Sequence, residues 1–425
     1  MLDVKLVRTN PKLIIDSLKK RQIDSGVVNI WIAKDKKFRE LKEESDKLRH
    51  MRNRISEDIN KFKKEGKTAE ANKKIAEAKT IPDRINSIEK ELNILEKELH
   101  DLLLRIPNIP SKDVPAGKSE KNNRIIKQIK AKKFKFKAKE HIELGINLDI
   151  IDIERASKVS GARFYYMKNE AVLLGMALQK FAADFLRKKG FNIIQPPFML
   201  KKEPYEGVVD FGAFEEMLYK IENEDLYLIA TSEHPIAAYF MNETLESRNL
   251  PIKFAGVSPC FRKEAGSHGR DTKGIFRVHQ FDKVEQFIFC KPNESEKIHR
   301  ELLKNVEDIY RALKIPFRSV LMCSSEMGKT ASKQYDIEAW FPCQNAYREI
   351  GSCSDCTDYQ ARGLNIKFIN KKNEKEFVYT LNSTVMAVQR TIAAILENYQ
   401  LKDGSVNVPK VLQKYCGIKK ISKKF

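Results

Sequence analysis

Residues Phe261 to Gln286 read FRKEAGSHGRDTKGIFRVHQFDKVEQ, and they carry the clearest pattern in the chain. Apolar side chains at Phe276, Val278 and Phe281 alternate with polar ones, which predicts a strand on either side of a glycine-rich turn. Basic side chains surround the turn and two acids stand on its flanks: Arg262, Lys263, Arg270, Lys273 and Arg277, with Glu264 and Glu285. Such a hairpin can hold polyphosphate by its side chains. A basic hairpin that only faces solvent is the alternative, and the alternation favours the functional interpretation.

The segments around this hairpin combine helix and strand patterns. Residues 170–187 have the spacing of an amphipathic helix, and residues 190–197 predict a short strand that two prolines end. A last helix is predicted from Val385 to Tyr399. Strand-like runs lie between them, at 226–230, 284–289 and 337–341. Because these elements do not follow a βαβ rhythm, we expect a mixed α+β domain with a largely antiparallel sheet.

The N-terminal part predicts a helical hairpin. Apolar residues spaced by four and three positions form a coiled-coil seam, at Ile81, Ile85, Ile88, Leu92, Leu95, Leu99 and Leu102. A looser repeat precedes it, at Phe38, Leu41, Leu48, Ile55, Ile59 and Phe62, and KEGKTAEANKK (64–74) is interpreted as a glycine-containing turn. Helices of this length reach roughly 50 Å, so we expect an arm that projects into solvent. A dimerisation coiled coil fits the pattern as well as a binding arm, and the basic charge of this end favours RNA.

Two prolines in RIPNIP (105–110) end the hairpin and mark a domain boundary. The expected organisation is an N-terminal domain over 1–110 with its arm at about 31–105, a linker over 111–137, and a second domain over 138–425. The basic stretch IIKQIKAKKFKFKAKEH (125–141) fits an edge strand, a linker or an RNA-facing surface.

The composition excludes several classes of protein. No apolar run in the 425 residues approaches the roughly 20 that a membrane helix needs, so a membrane protein is excluded. Lys and Arg number 79 against 58 Asp and Glu, a formal charge of +21, which favours a polyanionic partner over charge kept only for solubility. Seven cysteines make no disulfide framework and the first residues lack a secretory signal, so we expect a cytosolic protein.

Other nucleotide and metal sites are not supported. The sequence ending in Met327-Gly-Lys-Thr330 resembles a P-loop, but Cys323 stands where its first glycine belongs, and no GxGxxG follows a strand. Cys353 and Cys356 form a CxxC without a second pair, so we expect structural thiols and no zinc. Three histidines are interpreted as hydrogen-bonding residues and not as catalytic acids or bases: His234, His268 and His279.

The hairpin segment 261–287 resembles motif 2 of class II aminoacyl-tRNA synthetases, in the form found in seryl-tRNA synthetases. The helix before residues 190–197 and that strand resemble motif 1, and LNSTVMAVQRTIAAILENYQ (381–400) resembles motif 3. The N-terminal hairpin is similar to the family's tRNA-binding arm, and HIELG (141–145) to the opening of its catalytic domain. EAWFPCQNAYREIGSCSDCTDYQAR (338–362) is closest to the eukaryotic cytosolic branch, from which the short tail Ile418 to Phe425 departs.

The resemblance implies a reaction and partners. A seryl-tRNA synthetase joins serine to ATP as seryl-adenylate and transfers the seryl group to the terminal adenosine of tRNA(Ser), and of tRNA(Sec) where that is present. It implies ATP as substrate with Mg²⁺, a homodimer built on motif 1, an arm that reaches tRNA on the other subunit, and a cytoplasmic location.

The resemblance also assigns roles to residues. The catalytic residues are Arg262 and Arg390, and Glu349 and Ser352 hold the metal. Phe281 is the implied adenine platform, with Arg390 on the other face. The implied serine-binding residues are Thr231, Glu233, Arg262, Glu285, Asn382 and Thr384. The implied ATP-binding residues are Arg262, Lys263, Glu264, Val278, His279, Gln280, Phe281, Glu349, Ile350, Gly351, Ser352 and Arg390.

Two other functions remain open on the sequence. A catalytically dead paralogue would keep the arm and bind RNA, although the presence of Arg262, Glu349 and Arg390 weighs against it. A ligase that charges a carrier protein is the second alternative, and such relatives lack the long arm.

Overall fold

The computed structural model describes residues 1–131, 134–209, 211–265 and 274–423. Arg270, Lys273 and His268 of the glycine-rich turn lie outside these residues. The chain divides into two compact units. One comprises Leu2–Lys19 and Ile23–Ile106, and the other comprises Met1, Lys20–Gln22 and Pro107–Phe425.

The first unit is built around a helical hairpin. Its helices are α1 (Val4–Thr9), α2 (Pro11–Lys20), α3 (Gly26–Lys64), α4 (Thr68–Ala78) and α5 (Ile81–Arg105). The predicted seam of α5 is buried at Ile81, Ile85, Ile88, Leu95 and Leu99. Lys34 pairs with Glu98 at 2.8 Å, and Glu44 pairs with Arg84 at 2.7 Å. Because the partner number falls along α5 as it rises along α3, these two helices run antiparallel.

The connection between the two helices is shorter than the sequence pattern predicted. Only Glu65 to Lys67 form the turn, with Gly66 in the left-handed region at φ +75°. The following residues form α4, so the interpretation of 64–74 as a turn is wrong over most of its length. TAEANKKIAEA is rich in alanine, the best helix former, and Ala71 is buried in the unit.

The second unit combines helices with a large sheet. Its helices are α6 (His141–Asn147), α7 (Glu154–Ser160), α8 (Glu170–Lys188), α9 (Lys202–Val208), α10 (Phe211–Phe214), α11 (Glu233–Ala237), α12 (Ser295–Ala312), α13 (Tyr359–Gly363), α14 (Val388–Asn398) and α15 (Lys410–Cys416). The strands of the main sheet are β1 (Arg124–Gln128), β4 (Asn192–Ile194), β8 (Ile252–Phe261), β9 (Gln280–Cys290), β10 (Phe317–Leu321), β11 (Lys333–Phe341), β12 (Ala346–Asp355) and β15 (Tyr379–Ala387). Small strands lie outside it, at β2 (Ile151–Asp152), β3 (Tyr166–Met167), β5 (Met199–Leu200), β6 (Tyr227–Leu228), β7 (Thr244–Glu246), β13 (Lys367–Ile369), β14 (Lys375–Phe377), β16 (Val406–Asn407) and β17 (Lys420–Ile421).

The main sheet confirms the expected α+β class. Among the described residues its strands follow the order β1-β10-β11-β12-β15-β9-β8-β4, and each neighbouring pair is antiparallel except β4 with β8. Helices α8, α12 and α14 bury their apolar faces in one core with the sheet. The helices in the described ranges include none that is both long and apolar enough to span a bilayer.

Two segments differ in detail from their patterns. Val385 to Ala387 are the end of β15 and not the start of the last helix, because they pair with β9 before α14 begins at Val388. Residues 124–128 form β1, an edge strand paired with β10. This part of the basic stretch is therefore the edge strand that was one of its three possible interpretations. The segment expected to be a linker therefore contributes a strand to the sheet.

Helices α9 and α13 touch at two glycines. A methyl group on Gly363 would lie 2.0 Å from the carbonyl oxygen of Gly207, which is backbone and cannot move aside cheaply. We predict that Gly363→Ala lowers the free energy of unfolding by about 3 kcal/mol, the upper range for overpacking. Urea unfolding followed by circular dichroism measures the change.

Gly175→Ala in α8 is the matched control. Its added methyl group would meet Met167 and Val388 at 3.5 Å, an ordinary contact distance, so this variant should be stabilised by about 0.5 to 1 kcal/mol. Equal unfolding midpoints for the two variants would contradict the predicted contact between the helices.

Candidate active site

The site is built on the central strands β8, β9, β12 and β15. The hairpin predicted from residues 261 to 286 is confirmed at both strands, since β8 and β9 pair from Ile252 with Phe289 to Phe261 with Gln280. β15 pairs with β9 on its other side. The predicted binding residues therefore lie on neighbouring strands and on the segments that leave them.

Two cavities open along this part of the sheet. The Glu233 pocket has a volume of about 340 Å³ and is lined by Val209, Phe214, Met217, Thr231, Glu233, His234, Arg262, Lys329 and Thr330. The Arg390 cavity has a volume of about 800 Å³, and its lining includes Phe276, Arg277, Arg318, Asp336, Glu338, Arg348, Glu349 and Arg390. A narrow gap of about 20 Å³, lined by both Arg262 and Arg390, lies between their lining residues.

Arg262 lies where the Glu233 pocket meets the gap. It follows β8, and its backbone N–H donates to the carbonyl of His279 at 2.8 Å. Its Nε donates to the carbonyl of Ala230 at 3.2 Å, and the guanidinium lies over the ring of Phe281 at 5.2 Å. The backbone thus anchors Arg262, and its side chain lines both the Glu233 pocket and the gap.

The other motif 2 residues surround Arg262. Glu264, at φ +49°, pairs with Arg277 at 3.0 Å, and His279 Nδ1 contacts the carbonyl of Arg262 at 2.8 Å. The ammonium of Lys263 lies over Tyr219 at 5.7 Å. Val278 is buried, and Gln280 is exposed at the start of β9. The structure thus brings the predicted ATP-binding residues of this hairpin together.

Arg390 and Phe281 line the same narrow gap, and the ring that Arg390 contacts directly is that of Phe276. Its guanidinium lies over Phe276 at 4.9 Å, and its Nη1 donates to the backbone carbonyl and Oε2 of Glu349 at 3.1 and 3.2 Å. Phe276 is the residue that sequence reasoning missed. Its alternation with Val278 predicted a strand, which is wrong at these two residues because β9 begins only at Gln280. The alternation also did not indicate which cation would cover the ring.

A β-bulge places Glu349 and Ser352 on one face of β12. Gly351 pairs with Ile337 and Glu349 pairs with Glu338, so Ile350 is an extra residue in the ladder. Without the bulge, residues three apart in a strand would point to opposite faces. With it, Glu349 and Ser352 share the face of Glu338 and Asp336, the residues directly opposite them.

Carboxylates and guanidinium groups balance each other in the Arg390 cavity. Burial, assisted by the negative charge of Glu349, raises the pKa of Asp336 well above its ordinary value. Burial also raises the pKa of Glu338, which pairs with Arg318. The described residues contain no cluster of three His, Cys, Asp or Glu side chains with metal-site spacing. Glu349 and Ser352 do supply hard oxygen ligands, and Mg²⁺ completes such a pair with phosphate oxygens and water.

The Thr231 to Glu233 segment packs tightly on the sheet. A methyl group on Gly256 of β8 would lie 2.6 Å from Ser232 Oγ and 2.5 Å from Ile236 Cδ1, so only glycine leaves room for this approach. Thr231 Oγ1 accepts from the backbone N–H of Glu233 at 3.1 Å. This contact fixes the backbone of Glu233, whose side chain lines the pocket.

Amide groups hold the Glu233 carboxylate. Gln360 Nε2 and Asn382 Nδ2 both donate to its Oε1, at 2.8 and 3.1 Å, and Thr380 Oγ1 donates to Gln360 Oε1 at 2.7 Å. Desolvation, with the negative charge of Glu285, raises the pKa of Glu233 to about 7. Gln360 was not identified from the sequence, because an isolated glutamine carries no pattern.

Glu285 and Thr384 lie beneath the Glu233 pocket, face to face across β9 and β15. Thr384 Oγ1 donates to Glu285 Oε2 at 2.8 Å. The Nζ of Lys283 lies 2.6 Å from the same oxygen. Sequence reasoning missed Lys283, although its position two residues before Glu285 on a strand predicts the same face.

The remaining singled-out groups are buried beside the pocket. Burial lowers the pKa of His234 to about 3, so its imidazole is neutral at physiological pH. Burial raises the pKa of the Cys353 and Cys356 thiols. Lys329 and Thr330, from the rejected P-loop segment, line the Glu233 pocket without holding a phosphate loop.

The chain matches two protein-family models. The seryl-tRNA synthetase N-terminal domain matches residues 1–110, and the tRNA synthetase class II core domain (G, H, P, S and T) matches residues 216–399. A serine–tRNA ligase from Methanospirillum hungatei is 48% identical over 424 residues, 99% of each chain. One from Methanoregula boonei is 46% identical over 420 residues, 98% of each chain.

Solved structures agree with these relatives. The seryl-tRNA synthetase of Pyrococcus horikoshii, complexed with ATP, superposes with a TM-score of 0.94 at 43% identity, covering 100% of both chains. The cytoplasmic serine–tRNA ligase of Naegleria fowleri, in complex with AMP, gives a TM-score of 0.88 at 37% identity, covering 100% of this chain and 99% of that one. Together with the carboxylate pocket, the arginine-lined cavity and the paired strands that join them, this similarity shows that the chain belongs to the seryl-tRNA synthetase family of class II aminoacyl-tRNA synthetases.

Proposed function

We propose that this protein is a serine–tRNA ligase, which activates serine with ATP and transfers the seryl group to the 3′-terminal adenosine of tRNA(Ser). The observation that carries the proposal is the position of Arg262, which lines both the Glu233 pocket and the gap toward the Arg390 cavity. One guanidinium can there contact the carboxylate of an amino acid and a phosphate of ATP. Two anions that repel each other in water are brought together by that shared cation.

In the first step an oxygen of the serine carboxylate attacks the α-phosphorus of ATP. The bond from this phosphorus to the bridging oxygen of pyrophosphate breaks, and pyrophosphate leaves with its electron pair. Arg262 neutralises charge at the attacked phosphate, and Arg390 is placed to neutralise the leaving group in the cavity that it lines. In the second step a hydroxyl of the terminal adenosine attacks the seryl carbonyl, and AMP leaves.

Serine would lie in the Glu233 pocket. Glu233 and Thr231 hold its ammonium side, and Asn382 donates to the Glu233 carboxylate. Glu285 accepts the hydroxyl, and Thr384 donates to Glu285 from the opposite strand. A site that pairs with the hydroxyl rejects alanine strongly, because alanine leaves the buried acceptor without a partner.

ATP would bind along the gap and the Arg390 cavity, on the predicted residues Lys263, Glu264, Val278 to Phe281, and Glu349 to Ser352. The gap is too small for a purine because Arg262 lies over Phe281. Adenine therefore stacks on Phe281 once that guanidinium turns toward the α-phosphate. Glu349 and Ser352 would hold Mg²⁺, which when bound offsets the charge of the pyrophosphate.

The N-terminal unit would bind the tRNA. We propose the division into a tRNA-binding domain over 1–110 with its arm at about 31–105, a linker over 111–137 and a catalytic domain over 138–425. The match of residues 1–110 to the N-terminal family model supports the first boundary. The positive charge of the chain suits recognition of the RNA backbone, and tRNA(Sec) is a further substrate where it is present.

A homodimer is supported by the motif 1 region. Apolar side chains there remain exposed on α8 and the nearby strands, at Leu173 (44%), Met176 (62%), Ile193 (43%) and Met199 (44%). An exposed apolar patch marks an interaction surface, and a second copy of the chain would cover it. We also propose a cytoplasmic location. The assignment to the eukaryotic cytosolic branch stays a prediction, and the curated relatives reported above are archaeal.

Pyrophosphate exchange into ATP, measured without tRNA for each of the twenty amino acids, tests the reaction. We predict exchange with serine, because the pocket supplies partners for its ammonium and hydroxyl groups. Alanine should react at least about 1,000-fold less efficiently. A folded protein that exchanges with none of the twenty would instead support the dead paralogue that binds RNA.

The raised pKa of Glu233 predicts how serine use depends on pH. Only the ionised carboxylate pairs with the serine ammonium, and the free-enzyme pKa is about 7. The kcat/KM for serine should therefore fall as pH falls below 7, by about tenfold per unit, and level off above 8. Glu233→Gln, which cannot ionise, should be weak and flat over the same range. A flat wild-type profile from pH 5.5 to 8 would contradict the role of Glu233.

Shortening the arm separates activation from tRNA charging. Glu44 Oε1 and Arg84 Nη2 lie 2.7 Å apart, so residues 45–83 can be replaced by a short Gly-Ser turn that joins the two helices where they already meet. We predict that serine-dependent exchange stays within about twofold, whereas charging of tRNA(Ser) falls at least about 100-fold because backbone contacts are lost. A shortened protein that charges tRNA normally would exclude the arm as the tRNA-binding element.

A further inference from the structure

Lys283 and Glu285 form a buried ion pair under the Glu233 pocket. Both lie on β9 two residues apart and therefore on one face of the strand. They are 5% and 1% exposed, and Lys283 Nζ lies 2.6 Å from Glu285 Oε2. The ammonium also lies 3.5 Å from Thr384 Oγ1, so the three groups form one cluster.

Both polar contacts of the Glu285 carboxylate within the described residues fall on the same oxygen. Lys283 and the hydroxyl of Thr384 approach Oε2, at 2.6 and 2.8 Å. Oε1 is therefore left to accept a hydrogen bond from a substrate. Glu285 thus has one carboxylate oxygen bound to protein groups and one available to the substrate.

A carboxylate buried to this extent needs a compensating charge to stay ionised. Desolvation disfavours the anion, and the nearby Glu233 disfavours it further by like-charge repulsion. Lys283 is the cation that offsets both effects at 2.6 Å. Removing one partner of such a pair leaves the other charge buried and uncompensated.

We propose that Lys283 is a positioning residue for substrate recognition: it pairs with Oε2 of Glu285 and fixes the orientation of that carboxylate, so that Oε1 accepts the hydroxyl of serine. The inference rests on the proposed function, because it assigns the hydroxyl group of that substrate to Oε1. Lys283 acts through Glu285 and does not itself contact serine. Discrimination of serine from alanine thus depends on a lysine that lies beneath the pocket.

The test compares Lys283→Met, Glu285→Gln and the double variant with the wild type. The readouts are kcat and KM for serine and for ATP in pyrophosphate exchange, and the ratio of serine to alanine use. We expect Lys283→Met to raise the serine KM by about 10- to 100-fold, the loss of a charged hydrogen bond, and to leave the ATP KM within about twofold. The double variant should be no weaker than Glu285→Gln alone, because Lys283 has nothing left to act on.

Lys253→Met is the matched control. Lys253 lies on the neighbouring strand β8, 2.7 Å from Glu301 of α12, and does not line the pocket, so the same substitution removes a lysine–glutamate pair between the sheet and a helix. Its kinetic constants for serine should equal those of the wild type. Thermal melting of each variant reports whether it has folded.

Two outcomes overturn the inference. The first is a serine KM for Lys283→Met equal to that of Lys253→Met. The second is a double variant at least tenfold weaker than Glu285→Gln, since additive losses mean that Lys283 contacts the substrate itself. If Lys283→Met does not fold, the comparison of the double variant with Glu285→Gln still decides, because the double variant removes both buried charges together. A wild type that exchanges with other amino acids but not with serine counts against the proposed function instead.

Discussion

The pairing of β9 with β8 on one side and β15 on the other is the constraint on which the site depends. It places Glu285 directly opposite Thr384 and Gly256, and Gly256 in turn allows the Thr231 to Glu233 segment to lie against the sheet. Backbone hydrogen bonds satisfy the strands, so charged side chains can be buried on a rigid surface. A shift of β9 by one residue would turn all of these side chains to the other face.

Charge compensation has a different form in each half of the site. Around the Glu233 pocket, carboxylates collect around one lysine and amide donors, and burial raises the pKa of Glu233 to about 7. In the Arg390 cavity, arginines interleave with Asp336, Glu338 and Glu349 around a larger space. The first arrangement suits a small cation with a hydroxyl group. The second suits a polyanion with a divalent cation.

The sequence predicted the paired strands β8 and β9 and the α+β class, because both depend on local patterns of apolar residues along the chain. It did not predict that Arg390 covers Phe276, since that contact joins α14 to the segment before β9, more than a hundred positions away. The sequence analysis assigned Val385 to Ala387 to a helix, because their apolar spacing fits both a helix and a strand. In the structure these residues end strand β15, which pairs with β9. Gln360 acts through Glu233, 127 positions away in the chain, so no pattern in its own surroundings marked it. Lys283 lies two residues from Glu285, a spacing that indicates a shared face but not an ion pair.

The extra residue in β12 has a consequence for how this strand can change. Ile350 supplies the bulge that aligns Glu349 with Ser352, and its side chain is buried. Loss of one residue between Glu349 and Ser352 would close the bulge and leave the two side chains two positions apart in a regular strand, still on one face. Closing the bulge without such a loss would turn one of the two side chains to the opposite face. The alignment therefore depends on a match between chain length and backbone geometry, because the extra residue and the bulge must be present together or absent together.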